Sequence, residues 1–404
     1  MGRSTLTWLR NGRGLVLSGS APSVPNIPSA PGRVRKRATL LLLLASAFAL
    51  TAQPKPVMVE DVLKDVRFLK GIPVNEFMET MGFFSASTGR SCNYCHVEEA
   101  GGNWALYASD HPNKTKARAM IAMVNGINKS NFGGRRVLTC YSCHRGGEKP
   151  QVTPSLVELY STPPVPEPDK LLANGPDSPK PDQVLDQYIR ALGGAQKLAA
   201  ITSLVAKGTQ TGYANAQKLT VELYAKAPAQ RTMIVHTKEG DSTTVFDGRA
   251  GWLAAPATDR PITLTALSGG QLDGARLDAL LMFPAQIKAA LKQWRVGFPA
   301  TITLDKTDQD MTVLQGSMDG KYPVNLYFDE GGLLARSVRY ADSLVGLSPT
   351  QVDYADYRDV AGVKFPFKLT VTWLDGRSIT QLTEVQVNGS IDAARFAMPV
   401  VPKK

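Results

Sequence analysis

The sequence lacks the charge excess that a nucleic-acid-binding protein needs. Charged residues make up only 20% of its 404 residues, and the formal net charge is +11. Residues 1–52 contain seven basic residues and no acidic one, so residues 53–404 carry a net charge of only +4. This mild surplus excludes the electrostatic footprint of a protein that binds a polyanion. The hydrophobic share of 43% is that of an ordinary folded protein, long enough for two or three domains.

The N-terminal region lacks an apolar run long enough for a comfortable membrane span. The basic stretch Arg33–Arg37 precedes the apolar stretch Ala38–Leu50, which is the layout of an export signal. No cysteine follows it, which excludes a lipid anchor on a signal-proximal thiol. We therefore expect residues 1–52 to be a signal peptide cleaved near Ala49 or Ala52, with an uncleaved membrane anchor as the alternative.

Cysteine and histidine are scarce, with four residues of each, and all four cysteines lie in two Cys-x-x-Cys-His motifs. This is the attachment pattern of c-type haem. Residues three and four apart share one face of a helical turn, so both thiols reach the haem vinyl groups while the histidine faces the iron. The predicted sites are Cys92 and Cys95 with His96, and Cys140 and Cys143 with His144.

Three other interpretations of these motifs compete with haem attachment. A zinc site built from two Cys-x-x-Cys pairs leaves the adjacent histidines unexplained. A disulfide within Cys-x-x-Cys closes a very short loop and is usually redox-active rather than structural. Unpaired reduced cysteines fit poorly with an oxidising compartment.

A sixth iron ligand is expected for each haem, commonly a methionine, whose thioether raises the reduction potential. Two methionines three residues apart precede each motif in a helix-like segment: Met78 and Met81, then Met120 and Met123. Spacing alone does not show which methionine of each pair binds the iron. Methionine at helical spacing is also a common residue of the hydrophobic core. Two other histidines remain. His111, in a turn-like stretch, is expected to be a surface residue, and His236, in a predicted strand, is expected to be a structural one.

Composition divides the rest of the chain. Nine prolines between Glu148 and Pro181 predict an extended linker at 151–181. Beyond it, apolar residues at 184–192 have helical spacing, and Gly193-Gly194 ends that helix. Short alternating runs then predict strands, with hairpin turns at Asp247-Gly248, Gly331-Gly332 and Asp375-Gly376. A mainly antiparallel sheet with one or two helices follows from this pattern.

Three stretches around the motifs are typical of one family: Glu76–Met81, Ala117–Met123 with Ile127-Asn128, and Val137–Gly146. Through them, residues 57–150 resemble one half of the tetrahaem cytochrome subunit bound to photosynthetic reaction centres. In that family a helix ahead of each motif supplies the axial methionine, so the resemblance implies Met81 for the first iron and Met120 for the second.

This chain departs from that family in two respects. It has two haem motifs rather than four, and no histidine stands near Gly134, where the family places an additional axial ligand. These two departures favour a general periplasmic electron carrier over a photosynthetic role.

Residues 182–404 are more weakly similar to the lipoprotein-carrier-like family, through Leu185–Gly194 and Tyr354–Pro366. That family has a half-open sheet wrapped around helices and can hold acyl chains. The resemblance implies a fold, and a function does not follow from the fold alone.

The sequence thus predicts a multidomain protein: a small all-α dihaem cytochrome c domain at 53–150 and an α+β domain, dominated by an antiparallel half-open sheet, at 182–404. Its expected function is one-electron transfer through two covalent c-type haems in the periplasm, as a carrier rather than an enzyme, with membrane association left open. Periplasmic or membrane-bound redox proteins are the expected partners. The alternatives are a dihaem peroxidase, and a protein that binds lipid or another hydrophobic ligand in the C-terminal domain and has accessory haems.

Overall fold

The computed structural model describes residues 55–101, 103–154, 156, 178–212, 217–304, 306–318 and 322–401. The expected signal peptide at 1–52 lies outside these residues, as does most of the expected linker. The described chain has a helical N-terminal part followed by a large antiparallel sheet with helices, which confirms the predicted fold class.

The N-terminal part contains helices α1 (Val59–Val62), α2 (Val74–Thr88), α3 (Pro112–Asn131) and α4 (Cys140–His144). Short 3₁₀ turns lie at Cys92–Tyr94, Glu98–Ala100 and Trp104–Ala108. Helix α3 begins at a proline, which has no backbone N–H to leave unpaired in the first turn. The Nδ1 atom of His111 caps the same helix by accepting the N–H of Asn113 at 3.2 Å.

The C-terminal part has four helices and fourteen strands among the described residues. The helices are α5 (Pro181–Ala191), α6 (Ala195–Ala199), α7 (Gly269–Leu281) and α8 (Ile287–Ala290). The strands are β1 (Ser203–Gly212), β2 (Leu219–Lys226), β3 (Gln230–Thr237), β4 (Gly240–Phe246), β5 (Gly251–Ala254), β6 (Leu264–Ala266), β7 (Lys292–Val296), β8 (Ala300–Leu304), β9 (Thr307–Ser317), β10 (Pro323–Phe328), β11 (Leu334–Ser343), β12 (Gly346–Val360), β13 (Val363–Trp373) and β14 (Gly376–Val387).

The sheet has the strand order β6-β5-β4-β3-β2-β1-β14-β13-β12-β11-β10-β9-β7, with β8 paired to β9. Every pairing is antiparallel, and most neighbours are consecutive hairpins. The three predicted hairpin turns are present. In one, the Asp247 carboxylate accepts the backbone N–H groups of Arg249 and Ala250, and in another, Asp329 accepts that of Leu333, all at 2.7 Å.

The main core lies between the sheet and α5. Leu185 and Phe328 are almost completely buried there, and the ring of Tyr188 lies 5.2 Å from that of Phe328. Full burial of such a side chain stabilises the fold by roughly 1.5–3 kcal/mol. A pocket lined by Tyr188, Tyr354 and Phe365 has a volume of about 20 Å³, room for one water molecule. Nothing larger than a water molecule therefore fits this pocket as it stands.

A second, smaller apolar cluster joins the helical part to the sheet. Its buried members are Val59, Leu69, Ile72 and Phe83 from the helical part and Val345 from the β11–β12 hairpin. Met81 and Cys140 are partly buried against the same cluster. The two parts therefore share apolar contacts, and the domain boundary at 151–181 stays a prediction made from composition.

An ion network fixes the chain ahead of α2 to α3. The Asp65 carboxylate accepts from Arg118 at 2.6 Å, from Arg67 at 2.8 Å and from Lys114 at 3.1 Å. These bonds, that of Arg118 first, hold the pKa of Asp65 well below its usual range. The Asp65 side chain retains 18% of its exposure, so the network is only partly open to solvent.

We expect Asp65→Asn to lower the free energy of unfolding by about 1–2 kcal/mol near neutral pH. Because the folded-state pKa is depressed, the contribution is present above the unfolded pKa of about 4 and is lost as the pH falls through the folded value. Urea unfolding between pH 2.5 and 8 should give a constant difference from the unmutated protein above about pH 5, narrowing below about pH 4. A difference that stays the same down to pH 2.5 would contradict the electrostatic explanation.

Candidate functional site

The first motif folds as a tight 3₁₀ turn. The backbone N–H groups of Cys95 and His96 both donate to the carbonyl of Cys92, at 3.1 and 3.0 Å. Both cysteines are free thiols, Cys92 exposed and Cys95 half-buried. The turn therefore presents the two thiols and the imidazole from one short segment, as the spacing predicts.

The second motif is the short helix α4. Its start is fixed by a capping box, in which Thr139 and Ser142 each hydrogen-bond the other's backbone N–H through their side chains. The ring Nδ1 of His144 lies 3.1 Å from the carbonyl oxygen of Gly147. A histidine that donates from Nδ1 to a carbonyl keeps its Nε2 lone pair free for a metal.

The environment of His96 is more enclosed. Its Nδ1 is buried and has no hydrogen-bond partner, and its ring centroid lies 5.0 Å from that of Tyr107. Burial lowers the pKa of His96, and the nearby charge of Lys114 lowers it further. The ring is thus held in the neutral form, which is the form that binds a metal.

The end of α2 brings the two motifs side by side. The backbone N–H of Gly146, just past the second motif, donates to the carbonyl of Ser87 at 2.9 Å. Arg90 and Tyr94, which flank the start of the first motif, both donate to the Glu148 carboxylate, Tyr94 at 2.5 Å. These bonds, that of Tyr94 first, lower the pKa of Glu148.

Asn128 belongs to one of the three family-like stretches of the sequence, but its role appears only in the structure. Its buried side chain accepts the N–H groups of Val137 and Leu138, at 3.1 and 2.9 Å, and donates to the carbonyl of Leu138 at 2.8 Å. The chain that enters the second motif is therefore held by α3. An asparagine on the buried face of a helix was the available sequence signal, because a buried amide needs partners.

The four methionines have different surroundings. Met78 lines a small cavity against the sheet, beside Leu253 and Arg260. Met81 instead lies on the apolar cluster that also receives Cys140. Met120 and Met123 project from α3 with 42% and 47% of their surface exposed. The assignment of Met81 and Met120 as axial ligands stays a prediction from the family resemblance.

The surroundings of the second motif test whether a haem fits these residues. Four large apolar side chains are exposed, Met120 and Met123 on α3 and Val137 and Tyr141 at the second motif, and contact with an apolar macrocycle would bury such surface favourably. The residues therefore fit the group, with thiols placed for attachment.

The competing interpretations fare less well. All four cysteines are free, so neither motif holds a disulfide. Among the residues that the structure describes, no group of three or more His, Cys, Asp or Glu side chains could hold a metal ion, which disfavours a zinc site. Burial raises the pKa of Cys95 and of Cys140.

The remaining histidines have local roles. His111 caps α3, as described above. On β3, the Nδ1 of His236 lies 2.8 Å from the carboxylate of Asp241. Each of these two rings therefore has a local hydrogen-bond partner of its own.

Comparison with known proteins supports the N-terminal resemblance. A family model described as the photosynthetic reaction centre cytochrome C subunit matches residues 42–161. The photosynthetic reaction center cytochrome c subunit of Thermochromatium tepidum is 38% identical over 96 residues, which is 22% of this chain and 22% of that protein. The resemblance is thus confirmed for this region, and a c-type cytochrome with covalent haem is the class that it indicates.

Solved structures resemble the C-terminal part, at low identity. They include a DUF1329 family protein from Desulfovibrio piger (10% identity, 55% of this chain, 98% of that chain, TM-score 0.38). A putative outer membrane lipoprotein-sorting protein domain from Vibrio parahaemolyticus has 11% identity, covers 54% and 97%, and has a TM-score of 0.37. A LolA superfamily protein from Nitrosomonas europaea has 12% identity, covers 55% and 98%, and has a TM-score of 0.36. Likeness at this level carries no conclusion about function.

We expect Asn128→Ala to lower the free energy of unfolding by about 1–3 kcal/mol, because it strands buried backbone groups at Val137 and Leu138. Amide hydrogen exchange at those two residues should become faster. Asn131→Ala is the matched control, since Asn131 lies on the same helix but is exposed. Equal stability and equal exchange in the two variants would show that Asn128 does not hold this segment.

Proposed function

We propose that the protein is an exported c-type cytochrome that carries two covalent haems and performs one-electron transfer. The observation that carries the proposal is the pair of Cys-x-x-Cys-His segments, which fold separately and meet at the end of α2. Two thiols and one metal-competent histidine in each segment are the donor set that c-type haem needs. The family match over residues 42–161 supports the same chemistry.

Each residue of the two segments has a defined task in this proposal. Cys92 and Cys95 would hold the first haem and Cys140 and Cys143 the second, with His96 and His144 as iron ligands. Met81 and Met120 would be the sixth ligands. A bound haem supplies an iron that alternates between its ferric and ferrous states.

The chain's own contribution is to orient the ligands and to shield them. The carbonyl of Gly147 fixes the ring of His144, and the ring of Tyr107 packs against that of His96. Such second contacts set the orientation and basicity of a ligating histidine. Burial of the Nδ1 atom of His96 shields that side of the ring from water.

The alternative function as a lipid carrier has less support. The pocket in the C-terminal part has a volume of about 20 Å³, far below the 300–1,000 Å³ or so of typical ligand sites. A peroxidase remains the other candidate, and addition of peroxide or cyanide to the haem-loaded protein would shift its spectrum only if one iron has an open position.

The periplasm is the proposed location, and periplasmic or membrane-bound redox proteins are the proposed partners. The layout of residues 33–50 supports export. Among the described residues, none of the helices has the length and apolar character needed to cross a membrane.

The haem count gives the most direct test. Mass spectrometry of the denatured protein should show the polypeptide plus two haems, because thioether bonds survive denaturation. Replacing Cys140 and Cys143 by Ser should remove one haem, and replacing Cys92 and Cys95 should remove the other. A polypeptide mass without haem, from cells competent in cytochrome c maturation, would refute the proposal.

The sixth ligands can be tested by potentiometry. Met81→His should lower the potential of one haem and Met120→His that of the other, because imidazole favours the reduced state less than a thioether does. The matched controls Met78→Leu and Met123→Leu should leave both potentials nearly unchanged, at a packing cost of up to about 1.5 kcal/mol. Met81 is the wrong choice within its pair if Met78→Leu removes the Met–iron charge-transfer band and Met81→His keeps it. The same holds for Met120 if Met123→Leu removes the band and Met120→His keeps it.

A further inference from the structure

A chain of three aromatic rings links the first motif to the sheet. The ring of Tyr107 lies 5.0 Å from that of His96, tilted by 60°. On its other side, Tyr107 stacks on Trp104 at 5.1 Å and 21°. The indole Nε1 of Trp104 then donates to the carbonyl of Ala257, in the loop between β5 and β6, at 2.8 Å. The sheet thus reaches the expected iron ligand through two side chains.

A different part of the sheet reaches the second motif. Arg136 donates both to the carbonyl of Ser343 and to the carboxylate of Asp342, at the tip of the β11–β12 hairpin. Val345 of the same tip is buried in the cluster around Phe83.

The hairpin tip also touches the residue that caps α4. A Cβ atom on Gly346 would lie 2.6 Å from the ring of Phe83 and 3.2 Å from the methyl group of Thr139. The backbone of the hairpin therefore packs directly on the segment that begins the second motif, with no room for a side chain.

The chain itself buries few hydrophobic side chains in the helical part. Seven are buried between 55 and 150, among the residues described there: Val59, Leu69, Ile72, Val74, Phe83, Ala100 and Ile121. Contacts with the sheet therefore add constraints to those of this small core. One contact follows the first motif, at Trp104, and another precedes the second motif, at Arg136. A further contact holds α2, where the side-chain amide of Asn75 donates to the carbonyl of Ala266.

We propose that the sheet positions the two haem segments separately. Trp104 positions the first through Tyr107, and the hairpin tip 342–346 positions the second through Arg136. The C-terminal part then serves as the scaffold of the haem sites, not only as a separate docking or ligand-binding module. This inference rests on the proposed dihaem function and extends it, since it assigns positioning residues to each haem.

The experiment uses the full-length holoprotein and two variants that each cut one link. Trp104→Phe keeps an aromatic ring but removes the indole donor to Ala257. Arg136→Gln removes the bonds to the hairpin tip. Redox titration followed by optical spectroscopy gives the two midpoint potentials, and the single-haem cysteine variants described above assign each wave to its motif.

Matched controls exist within the sheet. Trp294 donates its Nε1 to the carbonyl of Lys288 at 3.3 Å, and Arg336 pairs with Asp353 at 2.5 Å across β11 and β12. Trp294→Phe and Arg336→Gln therefore make the same chemical changes away from both haem segments.

We expect Trp104→Phe to shift the wave of the Cys92/Cys95 haem and leave the other in place, and Arg136→Gln to do the reverse. Neither control should shift either wave. Tyr107→Leu breaks the first link at its middle and should move the same wave as Trp104→Phe, which covers the case in which the tryptophan variant fails to fold.

Two results would overturn the inference while leaving the proposed function intact. In the first, every variant carries two haems and neither redox wave shifts. In the second, each variant shifts both waves equally. A wild-type protein that carries no haem after maturation would overturn the proposed function and this inference together. The haem mass of the wild-type protein distinguishes the two kinds of failure.

Discussion

The close approach of Gly89 to Gly146 is the constraint on which the arrangement of both motifs depends. Gly89 ends α2 with a φ of 65°, in the left-handed region that favours glycine. A Cβ atom there would lie 2.2 Å from the carbonyl oxygen of Gly146. Only a glycine allows the chain leaving the second motif to lie against the end of the helix that leads into the first. Both Cys-x-x-Cys-His segments are thereby brought close to the end of α2.

Around this contact, one helix holds both irregular segments through polar side chains. Near the start of α3, the ammonium group of Lys114 donates to the carbonyls of Tyr107, Ala108 and Ser109, which follow the first motif. Near its end, Asn128 pairs with the backbone that precedes the second. Loops have few apolar contacts, so their backbone groups need such partners. The spacing of Lys114 and Asn128 along α3 therefore contributes to the separation of the two segments.

Composition suggests that the sheet and the helical part are separate domains, but the two parts share apolar contacts. A Pro-rich stretch separates the two parts in sequence, yet Val345 is buried among side chains of the helical part. The core between the sheet and α5 consists of the chain's own aromatic and aliphatic residues. The features of the sheet that face the helical part are therefore the more informative ones for its role.

The sequence by itself determined the chemistry and much of the local structure. The Cys-x-x-Cys-His spacing specifies two segments that each present two thiols and an imidazole, because the geometry of one helical turn is local. The strands and the turns at Asp247-Gly248 and Gly331-Gly332 were predictable for the same reason, since alternation and turn residues act over a few positions. Tertiary structure decided what depends on distant parts of the chain: the meeting of Ser87 with Gly146, the bond from Trp104 to Ala257, and the hairpin tip at Arg136. Each joins residues between about 60 and 210 positions apart, and no local pattern encodes such a pairing, because it arises only when separately formed elements pack together.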